Sequence, residues 1–344
     1  MYERIHPPMR VFIADEPHPI AARLFLENGF EIFQSKKLCE NDFDQIAQCD
    51  ALLVRASDVK DKTLFQKAEK LKAIARAGTG YDNINRDLAT KHDIVVMNAP
   101  DGNAPATAEL AVAHMLNLAR HISAGNANMR KGTWSRAPHK NDFQLRGKTL
   151  GIIGCGRIGS LVARFAKTFG MRVVVYDPYI LNGKAEALGG TRVRYLRDLL
   201  QCADIITLHP DLNDETRKII NAQTLRQCKK GVFIVNCARG PMVDADALAA
   251  AIREGHVANA AFDVIENEPT TLGPDKWKDN PLLAIDKVVF TPHVGGTTKE
   301  SLEDVARQAA EQIIDYLREG IVMNAVNEPY CHLSNMEAYI QCCA

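Results

Sequence analysis

The sequence has no net charge: 42 Lys and Arg balance 42 Asp and Glu, and both signs are spread along the chain. Nothing in that balance steers the protein toward nucleic acid or an anionic membrane, although a local anion site is compatible with it. Long hydrophobic runs are also missing. None approaches the roughly 18 residues that a bilayer-crossing helix needs, and the opening stretch MYERIHPPMR is charged and interrupted by proline. Neither a membrane role nor a secretory leader is therefore expected. The nine cysteines (Cys39, Cys49, Cys155, Cys202, Cys228, Cys237, Cys331, Cys342, Cys343) lack a regular framework. They are expected to be free thiols in a reducing, cytoplasmic compartment. No metal site is expected.

What the chain does have is enough apolar material, 46% of 344 residues, to bury a large core, and a length that suits two domains. Short apolar runs alternate with helix-compatible segments. Residues 10–15 read as a strand, Ile20 to Asn28 as a helix stopped by Gly29, Ala51 to Val54 as a strand and Lys60 to Ala68 as a helix. Leu71 to Ala75 and Ile94 to Met97 follow as strands, then Ala106 to Asn117 as a long helix. After a polar, glycine-bearing connector over 132–148, further strands are expected at 149–153, 172–176, 205–208, 232–236, 258–264 and 288–290. A last helix runs from Lys299 to Leu317, ending near Gly320.

This alternation predicts an α/β protein with two doubly wound parallel sheets. The second set of units is expected to be inserted into the first. Residues 1–103 and 298–330 then form one discontinuous domain, 104–297 a second, and 331–344 a weakly periodic tail.

The most specific local pattern is Gly154-Cys155-Gly156-Arg157-Ile158-Gly159, placed after the 149–153 strand and before a helix expected over Ser160 to Phe169. Gly154 permits a tight turn, Gly156 lets backbone approach a pyrophosphate, and Gly159 allows close helix–sheet packing, with a helix N-terminus behind them. Asp177 lies 18 residues beyond Gly159, at the end of the next strand, where a carboxylate accepts ribose hydroxyls. Its charge repels a 2′-phosphate, and Pro178 and Tyr179 offer no cation to receive one, which favours NAD over NADP. The pattern predicts a Rossmann-type nucleotide domain.

Three polar residues follow later strands of that half, at the edge where open α/β sheets place ligands. Arg239 follows 232–236, Glu268 follows 258–264, and His293 follows 288–290. Taken singly, each is an ordinary turn or helix-start residue. Together they suit reduction of a 2-oxo acid: Arg239 clamps the carboxylate and carbonyl oxygen, His293 donates the proton, and Glu268 holds the other imidazole nitrogen. In the first half, Gly78, Thr79 and Gly80 follow a strand and present backbone amides to a carboxylate, with Asp82 and Asn83 ordering the turn. Arg55 and Arg76 point at the same edge, which suggests a second anionic group on the substrate.

At these residues the sequence resembles the D-isomer-specific 2-hydroxy-acid dehydrogenases. The resemblance covers roughly residues 10–327 and rests on ARAGTGYDNIN (75–85), NAPDGNAPATAEL (98–110), LGIIGCGRIG (150–159) with YDP (176–178), HPDLNDETRKIIN (209–221), NCARGPMVDADAL (236–248), FDVIENEP (262–269) and TPHVGG (291–296). It implies a flavodoxin-like substrate domain around the nucleotide domain, with Arg239, Glu268 and His293 as catalytic arginine, glutamate and histidine. It implies further that Asp263 holds the nicotinamide carboxamide, that Thr107, His209 and Cys237 border the dinucleotide, and that Arg55, Arg76, Gly78 to Gly80 and Asn103 meet the substrate.

Within the family the blocks resemble most the branch working on 3-phosphoglycerate and 3-phosphohydroxypyruvate. Glyoxylate, hydroxypyruvate or another 2-oxo acid is the alternative substrate. Arg55 is followed by Ala56-Ser57 where the family often has serine directly, Asn103 by Ala-Pro-Ala, and the 270–280 connector with Trp277 is long. A regulatory extension at the end of the chain is not expected, nor serine feedback through such a domain. The resemblance also implies a homodimer formed through the nucleotide half. A reading of another class is an NAD-sensing interaction module, against which the intact arginine, glutamate and histidine set argues.

Overall fold

The computed structural model describes residues 8–136, 139, 141–269 and 276–328. The tail 331–344 with Cys331, Cys342 and Cys343, and residues 270–275 of the long connector, lie outside the described residues. The chain divides into two compact units with boundaries at 104/105 and 295/296, the first of them discontinuous in sequence.

In the first unit, β1 (Arg10–Ile13) turns Val11 and Ile13 to one face and Phe12 to the other, and all three are buried. A strand covered on both sides is what a parallel sheet between helical layers requires. β2 (Glu31–Gln34), β3 (Ala51–Val54), β4 (Ala73–Arg76) and β5 (Val95–Asn98) complete an all-parallel sheet in the order β2-β1-β3-β4-β5. On the Val11 face the helices Ile20–Glu27 and Lys299–Glu319 supply Phe25, Ala306, Ala309 and Ile313. On the Phe12 face the helices Phe43–Ile46, Lys62–Lys67 and Arg86–Lys91 supply Ile46, Leu64, Phe65 and Ala89.

The second unit contains β6 (Thr149–Ile153), β7 (Arg172–Tyr176), β8 (Thr191–Arg192), β9 (Ile205–Leu208), β10 (Val232–Asn236), β11 (Val257–Phe262) and β12 (Val289–Phe290). All pairs are parallel, in the order β12-β11-β10-β9-β6-β7-β8. The chain runs outward from β6 through β7 to β8, then crosses to β9 and proceeds outward the other way. That reversal between β6 and β9 opens a crevice at the carboxyl ends of the strands, the place where such sheets hold ligands. Both units are thus parallel α/β sheets, as the alternation of runs predicts.

The differences from expectation are local. β2 is an edge strand with only two apolar residues, both half-buried, so its pattern is faint. β8 has only two residues. The helix Ile122–Arg130 buries none of its residues, and with only Ile122 and Met129 as large apolar side chains, both exposed, it carries no core-facing stripe to mark it. The long helix spans Ala104–Arg120, extending beyond its expected ends. The six described cysteines are free. Among the described residues no helix is long and apolar enough to cross a membrane, and no cluster of ligating side chains could hold a metal ion.

Candidate active site

The loop after β6 is shaped by what its glycines lack. A Cβ on Gly154 would stand 2.4 Å from the backbone nitrogen of Pro210, so the loop after β6 lies directly against the loop after β9. A Cβ on Gly159 would stand 2.2 Å from the Gly154 carbonyl oxygen, while one on Gly156 would meet nothing within 4 Å. Two glycines therefore permit close packing, and the third leaves open backbone at the N-cap of the helix Arg157–Thr168. Open backbone at a helix N-terminus suits a pyrophosphate, and these residues fit a dinucleotide. The helix begins at Arg157 and not at the expected Ser160. Arg157 and Ile158 belong to its first turn, because Gly159 without a side chain lets that turn rest on the Gly154 carbonyl.

Asp177 stands at the carboxyl end of β7. Its Oδ2 accepts from the Cys155 N–H at 2.8 Å and its Oδ1 from the Tyr179 N–H at 2.9 Å. The carboxylate thus ties the end of β7 to the glycine loop, and about two of its four acceptor positions remain for ribose hydroxyls. A cation does reach this corner, by a route the local sequence does not reveal. Arg192, delivered by β8, donates to the carbonyls of Asp177 at 3.1 Å and Pro178 at 3.0 Å. Burial pushes His209 down to about 3, so this imidazole is neutral. Its Nε2 lies 2.9 Å from the Thr207 hydroxyl. Thr107 and Cys237 are buried, and burial pushes the Cys237 thiol up.

Arg239, Glu268 and His293 follow the neighbouring strands β10, β11 and β12. The turn bearing Arg239 is templated by the buried Asn236. Its Oδ1 accepts from the Ala238 N–H at 3.0 Å, and its Nδ2 donates to the Arg239 carbonyl at 2.9 Å. A Cβ on Gly240 would come within 2.0 Å of the Ile265 carbonyl carbon, so this turn presses against the loop that carries Glu268. Glu268 accepts the Ile265 N–H at 3.2 Å through Oε1, and its Oε2 lies 2.6 Å from His293 Nδ1. With Nδ1 engaged, Nε2 is the imidazole atom left for a substrate. The His293 side chain is 51% exposed, open to an incoming molecule.

Asp263 fixes the loop around that histidine. Its Oδ1 accepts from the Thr291 hydroxyl at 2.6 Å and the Val294 N–H at 2.9 Å, and its Oδ2 from the Gly295 N–H at 2.8 Å. The His293 N–H itself donates to the Asp263 carbonyl at 2.8 Å. Behind them, His114 Nε2 lies 3.1 Å from the Thr291 hydroxyl, and burial lowers the pKa of this imidazole. Neither Asn236 nor His114 stands out in the sequence. The signal that could have drawn attention to them is a polar residue within an otherwise apolar element.

The first unit gathers its own polar edge. Arg76 Nε donates to the Arg55 carbonyl at 3.0 Å. Its guanidinium lies where a side chain on Gly78 would be, since a Cβ there would stand 1.8 Å from Nη1. Asn98 Nδ2 donates to the Thr79 carbonyl at 2.6 Å, and the Thr79 hydroxyl bonds the Asn103 side chain. Arg55, Arg76, Gly78, Thr79 and Asn103 are thus joined along the ends of β3, β4 and β5, and Gly80 is half-buried beside them.

Residues 112–295 match the family model described as D-isomer specific 2-hydroxyacid dehydrogenase, NAD binding domain, and the chain belongs to that family. Among its relatives is the D-3-phosphoglycerate dehydrogenase of Bacillus subtilis (strain 168), 40% identical over 320 residues, which are 93% of this chain and 59% of that protein. The enzyme of the same name from Methanocaldococcus jannaschii is 41% identical over 321 residues, 93% of this chain and 60% of that protein. The chain therefore spans about three-fifths of the length of these curated relatives. Among solved structures, the TT0316 protein of Thermus thermophilus matches with a TM-score of 0.78 and 32% identity, over 92% of this chain and 100% of that one. A glyoxylate reductase from Paecilomyes thermophila matches with a TM-score of 0.82 and 27% identity, over 94% of this chain and 99% of that one.

Proposed function

We propose that the protein is an NAD-dependent oxidoreductase acting between a small D-2-hydroxy acid and its 2-oxo acid. The observation that carries this reading is the 2.6 Å contact between His293 Nδ1 and Glu268 at the edge that also bears Arg239 and the glycine loop. The bound dinucleotide supplies the hydride. The chain's residues do the rest: Arg239 holds the carboxylate and polarises the oxo group, and His293 Nε2 gives its proton to the oxo oxygen as C2 gains the hydride. Glu268 keeps the ring in orientation and balances its charge. In the reverse direction His293 takes the hydroxyl proton. Asp177 selects NAD by accepting the ribose hydroxyls.

For the substrate we propose 3-phosphoglycerate and 3-phosphohydroxypyruvate, with Arg55 and Arg76 meeting the phosphate and the Gly78 to Gly80 loop with Asn103 meeting the carboxylate. The names of the Bacillus and Methanocaldococcus relatives support this. The glyoxylate reductase match keeps unphosphorylated acids as the competing substrates. Specificity constants with NADH for phosphohydroxypyruvate, hydroxypyruvate and glyoxylate decide between them. A preference for the phosphorylated acid is expected, and equal or reversed values overturn it. Absence of turnover across the panel overturns the enzymatic reading itself. A homodimer through the nucleotide unit completes the proposal.

A further inference from the structure

Three consecutive backbone N–H groups, those of Arg55, Ala56 and Ser57, converge on Oδ2 of Asp15 at 2.9, 2.8 and 2.8 Å. The Ser57 hydroxyl bonds the other oxygen, Oδ1. Successive amides converging in this way form a nest, a concavity suited to an anion. Its occupant here is the chain's own carboxylate, brought from beyond the end of β1 to the end of β3. Asp15 adopts a left-handed φ of 70° in doing so, a conformation that Asp tolerates better than most residues. Burial alone would raise this carboxyl, yet the bonds from Ser57, Arg55 and Ala56 hold it below its ordinary range.

The consequence falls on Arg55. Its N–H is held by Asp15 and its carbonyl by Arg76, while among the described residues its guanidinium makes no hydrogen bond or ion pair. A fixed backbone beneath a free guanidinium is a pre-organised fork for an oxyanion. The residue order Arg55-Ala56-Ser57 also acquires a reason, because it places the serine hydroxyl on Asp15.

We propose that Asp15 is a specificity-determining positioning residue of the substrate's anion pocket. It fills the nest from within, so that a second anionic group on the substrate meets the side chains of Arg55 and Arg76 and not the backbone amides. This rests on the reading that Arg55 faces the substrate.

The test uses Asp15→Gly, which removes the carboxylate at a φ that glycine accepts freely, and Asp15→Asn, which keeps an acceptor. Asp15→Gly raises KM for phosphohydroxypyruvate by about tenfold or more, as expected when hydrogen bonds to a charged group are lost. It shifts KM for hydroxypyruvate less and leaves the Kd for NADH at its wild-type value, and Asp15→Asn falls between. Formate, a small carboxylate, refills the nest: with increasing concentration it raises the Tm of Asp15→Gly and lowers its KM relative to the wild type, in which the nest is already filled and formate meets only the substrate's own carboxylate site. An unchanged KM in both variants, or a raised KM that formate does not lower relative to the wild type, overturns the proposal. Arg55→Ala separates the two readings. If it leaves KM for both acids unchanged, Arg55 does not face the substrate and the pocket role falls with it, whereas the formate-dependent gain in Tm reports on the nest alone.

Discussion

His293 presents its Nδ1 to Glu268 at 2.6 Å from a backbone held at φ 51°, a conformation uncommon outside glycine. The strain is imposed from both sides by Asp263, whose carboxylate holds Thr291, Val294 and Gly295. Local strain over-determined by its surroundings is a property of sites built to position one group. Replacing His293 with asparagine should therefore lower kcat by about 10²- to 10⁴-fold, the usual contribution of a positioned proton donor. Glu268→Gln keeps an acceptor but loses the charge, and should cost less. NADH affinity, read by fluorescence titration, should barely change in either variant. Wild-type kcat in His293→Asn would remove the imidazole from the mechanism.

Asp177 is expected to act on cofactor choice in two ways. Its charge would repel a 2′-phosphate, and through the Cys155 N–H it holds the glycine loop in place. Wild type should prefer NAD to NADP by at least about tenfold, or about 1.4 kcal/mol. Asp177→Asn retains an acceptor for the Cys155 N–H and isolates the charge, while Asp177→Ala removes both. NADP efficiency should hold or rise in each, helped by the nearby Arg192, and NAD efficiency should fall further in the alanine variant. Steady-state kcat/KM with both cofactors is the measurement, and an unchanged ratio in both variants would rule out Asp177 as the ribose ligand.

The nucleotide unit leaves large apolar side chains uncovered on one stretch: Ile122 is 57% exposed, Met129 53% and Trp134 79%. A second copy of the chain would cover them. Light scattering at micromolar concentration should give a dimeric mass, and Trp134→Glu together with Met129→Glu should shift it to the monomer. A monomeric wild type would remove the expectation of a dimer.

Acid should destabilise the protein through named carboxylates. Burial raises Asp204, but the Thr149 N–H at 2.7 Å and Lys229 Nζ at 2.9 Å outweigh it and hold the group below its ordinary value. A carboxyl depressed in the folded state stabilises it fully above the unfolded value, about 3.9 for Asp, and less as pH falls through the folded value. Asp15 and Asp142 carry the same sign. Tm should fall between about pH 5 and about pH 3 in the wild type. Asp204→Asn should start lower and lose less over that interval. Parallel curves would exclude Asp204 as a contributor.

Most of the architecture is legible in the sequence because fully buried strands such as Ala51–Val54 and Ile205–Leu208 are unbroken or nearly unbroken apolar runs. The positions of Arg239, Glu268 and His293 are legible for the same reason, each standing a few residues beyond such a run. What stays hidden depends on partners distant in sequence. Arg192 reaches Asp177 only because β8 pairs with β7. Asp15 matters only because β1 lies beside β3. The helix Ile122–Arg130 escapes periodicity because it has no buried face to mark it.

The return of the helix Lys299–Glu319 to the first sheet imposes an order on synthesis. Val305, Ala306, Ala309, Ala310 and Ile313 complete one side of the core around Val11, Ile13 and Met97. The strands made first therefore wait through translation of the whole nucleotide unit with that face only partly covered, by the helix Ile20–Glu27. The nucleotide unit, continuous in sequence, can fold as it leaves the ribosome. Closing the first core is then a late, long-range event, which topology makes slow. A nascent chain arrested before residue 299 should accordingly bind NADH while its N-terminal strands remain sensitive to protease.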